Sequence, residues 1–117
     1  MCQKNYVAQG TIPPYRLVKF GSADRTVVIA AAATDLLIGV TGRYKDNVVA
    51  GGQVDVIRDD FCEVELGGTV VRGEALTADA SGKAITATVA GSRVIGYAEV
   101  SGVAGDIIWM MVELGKF

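Results

Sequence analysis

From Tyr15 onward, apolar and polar residues alternate in short runs. Gln53–Arg58 sets Val54 and Val56 on one side and Gln53 and Asp55 on the other. Phe61–Leu66 likewise opposes Cys62, Val64 and Leu66 to Glu63 and Glu65. A period of two marks strands with one wet face. Further runs predict strands at Tyr15–Phe20, Thr26–Ile29, Leu36–Thr41, Glu74–Ala78, Ala84–Thr88, Val94–Val100 and Ile107–Leu114. Turn residues at Gly21-Ser22-Ala23-Asp24, Gly67-Gly68 and Asp79-Ala80-Ser81-Gly82 separate them. No segment holds a helical period over three turns; Ala30–Ala33 followed by Thr34-Asp35 is a helical turn or a loop. The pattern predicts an all-β chain. The last strand breaks the alternation, because Ile107-Ile108-Trp109-Met110-Met111-Val112 is apolar on both sides. Such a strand has one side for the domain core and another for a neighbouring subunit. Ile108, Trp109 and Met110 are therefore expected at core or subunit contacts.

Residues 1–14 show little periodicity and end in Pro13-Pro14, which favours extended chain and excludes a helix. They read as an N-terminal arm, leaving 15–117 as the β-domain. Fully extended, the arm reaches about 45 Å. Tyr6, Val7, Ile12, Pro13 and Pro14 are its expected contacts with a partner.

The two halves of the β-domain resemble each other. At an offset of 58, Leu17-Val18-Lys19-Phe20 aligns with Ala75-Leu76-Thr77-Ala78, and the Asp24-Arg25 turn then falls near Gly82-Lys83. At 57, Ile38-Gly39-Val40 matches Ile95-Gly96-Tyr97, and at 53, Gly52-Gln53-Val54 matches Gly105-Asp106-Ile107. The drift is what loops of different length produce. The expected fold is a small barrel or sandwich of two pseudo-repeated β units, about 15–58 and 73–114, with the extended arm in front.

Composition narrows the chemistry. Half of the 117 residues are hydrophobic, 15 are Gly and none is His. Without His there is no Ser-His-Asp or Cys-His nucleophile and no His-ligated metal. The net charge is −2, with basic residues scattered and aromatics at 7%, which gives no footprint for nucleic acid. Thr26–Thr34 and Ile107–Val112 are the longest uncharged apolar stretches and are too short to span a bilayer. The N-terminus lacks a secretory pattern, so synthesis in the cytoplasm with reduced cysteines is expected. Cys62 reads as a small core residue and Cys2 as incidental. Residues 1–25 carry a net charge of +3 and the remainder −5, which suggests a separate partner surface for the start of the chain.

Candidate sites are few. Asp55, Asp59, Asp60, Glu63 and Glu65 form the densest acidic group, but they lack the order and glycine of a calcium loop. They read as the wet face and turn of a hairpin. Gly51-Gly52 and Gly67-Gly68 lack the residues that make a phosphate loop. Lys83 sits in a hairpin tip, Ser81-Gly82-Lys83-Ala84, of a duplicated domain. Lipoyl and biotinyl carrier domains present a lysine in that way, although their acidic or Met neighbours are missing here. No catalytic, cofactor-binding or metal-binding residue is expected.

The hairpin Asp79-Ala80-Ser81-Gly82-Lys83-Ala84, then Ile95-Gly96-Tyr97-Ala98 and Gly105-Asp106-Ile107-Ile108, together resemble the small capsid cement or head-decoration proteins of tailed bacteriophages. The earlier Ile38-Gly39-Val40 and Gly52-Gln53-Val54-Asp55-Val56 fit the same pattern, so the resemblance covers about residues 15–114. It implies a non-enzymatic virion protein without cofactor. Such proteins bind the outer surface of the head, commonly as homotrimers, and stabilise the shell against DNA pressure. Their partners are the major capsid protein and copies of themselves, with no nucleic acid or membrane, and their arms often add a strand to the capsid protein. Two other readings are a carrier domain modified at Lys83 and a β-barrel binding module.

Overall fold

The computed structural model describes residues 3–117, with side chains from residue 5 onward. Cys2 lies outside the described residues. Among the described residues ten strands form two units. The first contains β1 (Gln3–Ala8), β2 (Leu17–Phe20), β3 (Thr26–Ile29), β4 (Leu37–Thr41) and β5 (Gln53–Ile57). These close into a barrel in the order β1-β3-β2-β4-β5. The second contains β6 (Asp60–Glu65), β7 (Ala75–Ala78), β8 (Ala84–Thr86), β9 (Arg93–Ala98) and β10 (Ile107–Lys116), in the order β6-β10-β9-β7-β8. The chain is all-β, as the alternation predicts; the two similar units run 3–57 and 60–116, so each begins with a strand, β1 or β6, that lies outside the repeats 15–58 and 73–114 aligned in the sequence.

Matched strand by strand, the two orders are the same: β3-β2-β4-β5-β1 corresponds to β8-β7-β9-β10-β6. The correspondence extends to single hydrogen bonds. Ile12 bridges Val48 as Val70 bridges Gly102. The Ala8 N–H donates to the Gly52 carbonyl, and the Leu66 N–H to that of Asp106, each at 2.8 Å. Gly51 and Gly105 take the same left-handed turn position, with φ of 87° and 92°. An added Cβ at Gly39 would meet the Ile57 carbonyl oxygen and Val56, and one at Gly96 would meet the Met111 carbonyl oxygen and Met110. These pairs set the offset between β5 and β10 at 54, one more than the sequence alignment gives. The difference matters because a slip of one residue exchanges the two faces of a strand. The buried Val54 therefore corresponds to the buried Ile108, not to the exposed Ile107.

The structure also revises the arm. Residues 3–8 are extended as expected, but their partners lie within the chain. β1 runs antiparallel to β5 from Gln3↔Ile57 to Val7↔Gln53, and parallel to β3 at Val7↔Thr26 and Ala8↔Val27. β1 is the counterpart of β6 and supplies the strand that closes the first barrel. Burial explains the outcome. Tyr6, Ala8 and Ile12 fill the barrel interior with Val18, Val27, Ile38, Val54 and Val56. Each fully buried Val or Ile among them contributes about 1.5–3 kcal/mol relative to solvent.

The counterparts of those eight residues are Val64, Leu66, Val70, Leu76, Ala84, Ile95, Ile108 and Met110, and all line the core of the second unit. That unit is less fully closed, with β6 meeting β8 at the single parallel bridge Leu66↔Ala84. The entry to β2 occupies the gap. The Glu65 N–H donates to the Tyr15 carbonyl at 3.1 Å, and the Leu17 N–H to the Gly82 carbonyl at 2.8 Å. Leu17, Ala30, Leu37, Val40 and Ile57 of the first unit join the second unit's core there. The barrel and the second sheet are thus held by one shared apolar cluster.

Candidate interaction surface

The residues expected to reach a partner from the arm are built into the barrel. Tyr6 is buried, and its hydroxyl accepts a hydrogen bond from the Arg58 guanidinium at 3.0 Å. Ile12 is fully buried, and Val7 is half-buried between β3 and β5. Pro13 and Pro14 are half-buried, and the Pro13 carbonyl accepts hydrogen bonds from the Tyr44 and Thr41 hydroxyls at 2.8 and 3.0 Å. Tyr6 and Ile12 reach a partner only if the barrel opens.

The early positive charge is also used internally. Arg16 lies 3.1 Å from Glu65, and Lys19 lies 3.2 Å from Asp35. Burial pushes the Glu65 carboxyl up, but Arg16 and Lys83 outweigh it and hold the group below its ordinary value. Burial opposes the same shift at Asp35, where the Ala31 N–H and Lys19 prevail.

The other sequence candidates resolve into structural roles. Lys83 folds back to 3.3 Å from Glu65, instead of projecting from the turn as a carrier lysine must. Asp79 caps that turn, accepting hydrogen bonds from the Ser81 and Lys83 N–H groups. Asp55 accepts one from Asn5, and Glu63 lies 2.8 Å from Arg43. Among the described residues no group of three Asp, Glu, Cys or His could hold a metal. No helix among them is long and apolar enough to cross a membrane. Cys62 is buried, and desolvation, with Glu63 beside it, pushes its thiol up to about 12. Such a thiol is inert at neutral pH.

One surface stands out. From Ile107 to Val112 burial alternates along β10, so Ile108, Met110 and Val112 face the core, while Trp109 lies on the other side with 49% of its surface exposed. The run read as apolar on both sides thus has one open side in this chain. Register gathers further residues there. Phe61 pairs with Met111, Met111 with Tyr97, and Tyr97 with Ala75, a row across four strands. Phe61, Tyr97 and Ile107 are exposed, and Met111 and Ala75 half-exposed. The row needs the strand register to become visible, because its members come from four separate segments. A shallow pocket of about 360 Å³ lies elsewhere, between Leu36, Leu37, Arg93, Val94 and Leu114.

This geometry is that of a closed five-stranded barrel packed on a second five-stranded sheet, with an apolar sheet face and no catalytic constellation among the described residues. No family model matches the chain. No curated protein matches it either. Among solved structures it is similar to the N base of head fiber gp8.5 in bacteriophage phi29, with a TM-score of 0.74 and 22% sequence identity. The match covers 99% of this chain and 97% of that one. The two share the fold.

Proposed function

We propose that this chain is a structural protein of a bacteriophage head, seated on the outer surface of the shell. The observation that carries the reading is the whole-chain match to a head-fiber base, which spans the barrel and the second sheet and not one common β unit. The absence of His from the sequence and the engagement of Glu65, Glu63 and Lys83 in ion pairs support a mechanical role over a catalytic one. The partner is the major capsid protein. Since β1 belongs to the barrel, the shell is gripped by the surface of the folded domain and not by a loose arm. Copies act as oligomers, with trimers the state that the cement-protein resemblance implies. Many weak contacts on one lattice then add by avidity, so that the shell resists internal DNA pressure. The test is co-sedimentation of purified protein with expanded heads that lack it. Saturable binding and a raised temperature of head rupture are expected. Failure to bind at any protein concentration overturns the proposal.

A further inference from the structure

The two units meet where β4 and β9 begin. Leu36 and Leu37 lie at the start of β4, and Arg93 and Val94, their counterparts in the repeat, at the start of β9. The Arg93 N–H donates to the Ala33 carbonyl at 2.7 Å, which ties β9 to the first unit there. The repeat itself ends nearby. β5 stops at Ile57, the counterpart of Met111, whereas β10 runs on to Lys116 past an irregularity between Val112 and Gly115. This extension brings Leu114, Gly115 and Lys116 to the junction and completes the shallow pocket of about 360 Å³. Leu37 and Val94, both buried, form its floor, and Leu36 and Leu114, both exposed, its rim.

The cations of this pocket are what single it out. Register sets Lys116 directly opposite Arg93 on adjacent strands. Like charges so placed destabilise a strand pair. Among the described residues no carboxylate forms an ion pair with either of them. Asp35, next to Leu36, is taken by Lys19 at 3.2 Å and by the Ala31 and Ala32 N–H groups. Glu113, exposed on β10, pairs with neither cation. An apolar pocket edged by an unrelieved pair of cations is complementary to an apolar group that carries negative charge. We infer that it docks a peptide segment of a partner protein in which a large apolar side chain lies beside an Asp or Glu carboxylate. The side chain rests on Leu37 and Val94. Directly opposed residues of a strand pair have Cβ atoms about 5 Å apart, so one carboxylate reaches both Arg93 and Lys116. Each such contact is a charge-assisted hydrogen bond. A bare anion would leave the apolar floor unused. Nucleic acid binds by stacking on aromatic side chains, and none lines this pocket. The inference rests on the structural-protein reading only for the source of the segment, which is the major capsid protein.

The experiment is an NMR titration of the isotope-labelled full chain with the blocked peptide Glu-Leu-Phe-Glu, taken to millimolar concentration. The neutral peptide Gln-Leu-Phe-Gln and inorganic phosphate are titrated beside it. Saturable amide shifts are expected at Leu36, Leu37, Arg93, Val94 and Leu114–Lys116 with the acidic peptide. The neutral peptide and phosphate should each bind about 10-fold more weakly, the effect of losing one charge-assisted hydrogen bond or the apolar contact. Lys116→Glu should weaken the acidic peptide by about 10-fold or more. Its fold is expected to survive, because Lys116 is exposed and the change replaces a repulsive cross-strand pair by an attractive one; its melting temperature should not fall below that of the wild type. Arg72→Glu, the same change of charge at an exposed position beside Ser101, is the control and should bind like the wild type. No saturable shift at these residues overturns the inference. So does equal binding of the neutral peptide, or of phosphate, or of the acidic peptide to Lys116→Glu. Binding to expanded heads is scored separately. Heads that bind the wild type and Arg72→Glu but bind Lys116→Glu about 10-fold more weakly support the capsid protein as the source. Heads that bind all three alike overturn that source. Heads that do not bind the wild type remove the proposed function and leave the peptide result standing.

Discussion

Individual side chains show both how much chemistry the sequence displays and where it misleads. Cys62 is readable at once as core, because it alternates with Glu63 and Glu65 on a strand. Its thiol, at about 12 in the folded chain against an ordinary 9, yields a prediction. In a Cys2→Ser background no thiol should react with a disulfide reagent at neutral pH until the chain unfolds. Rapid reaction of the native protein would show Cys62 to be open. The sign of the linkage follows from the raised value. The contribution of Cys62 to stability is complete below pH 9 and is lost as the pH climbs towards 12. Glu65 behaves in the opposite sense. Its carboxyl is held below the ordinary 4.5, so its contribution is present above that pH and lost as the pH falls through the lower folded value. Melting temperatures of Glu65→Gln should accordingly fall less steeply with acid below pH 4.5 than those of the wild type. Equal slopes would mean that the Arg16 and Lys83 contacts do not favour the ionised form. These pairs are not legible in the sequence. Arg16 and Glu65 are far apart along the chain, and the +3 charge of the first segment suggests an external partner until the fold brings the two together.

At the scale of elements, β5 and β6 are the most legible strands and β1 the least. β5 and β6 announce themselves by alternation, because one face is wet. β1 has too short a pattern and is followed by Pro13-Pro14, so local signals describe an arm. Its identity as a strand depends on partners about 20 and 50 residues away, β3 and β5, which no local window contains. One signal could have found it. Tyr6 and Ala8 correspond to Val64 and Leu66 once the repeat is carried back beyond residue 15, giving each unit a first strand. The consequence is direct. Tyr6→Ala should cost about 3 kcal/mol, in the range for truncating a buried aromatic, and lower the melting temperature accordingly. Deleting residues 2–12 should abolish the cooperative unfolding transition, since the barrel loses its closing strand. A deletion variant that melts like the wild type would return the segment to the role of an arm. The alternation of Ile107–Val112 has a similar lesson. Sequence shows that both faces are apolar, but only register shows that Trp109 joins Tyr97 and Phe61 across neighbouring strands.

For the whole molecule, duplication explains most of the architecture. Two five-stranded units of the same order share a core because the outer row of the first fits the incompletely closed seam of the second. The abundance of Gly follows from this plan, with matched turns at Gly51 and Gly105 and matched close approaches at Gly39 and Gly96. The proposed function is less legible than the fold, since a mechanical role would leave no motif of its own in the sequence. At this scale the proposal is that the chain is a component of a phage head. Cryo-electron microscopy of the particles released by cells carrying this sequence tests it most directly. Density matching the barrel and its second sheet, with principal extents of 35 × 29 × 24 Å, is expected on the outer surface of the shell. Purified particles whose shell shows no such density would contradict it.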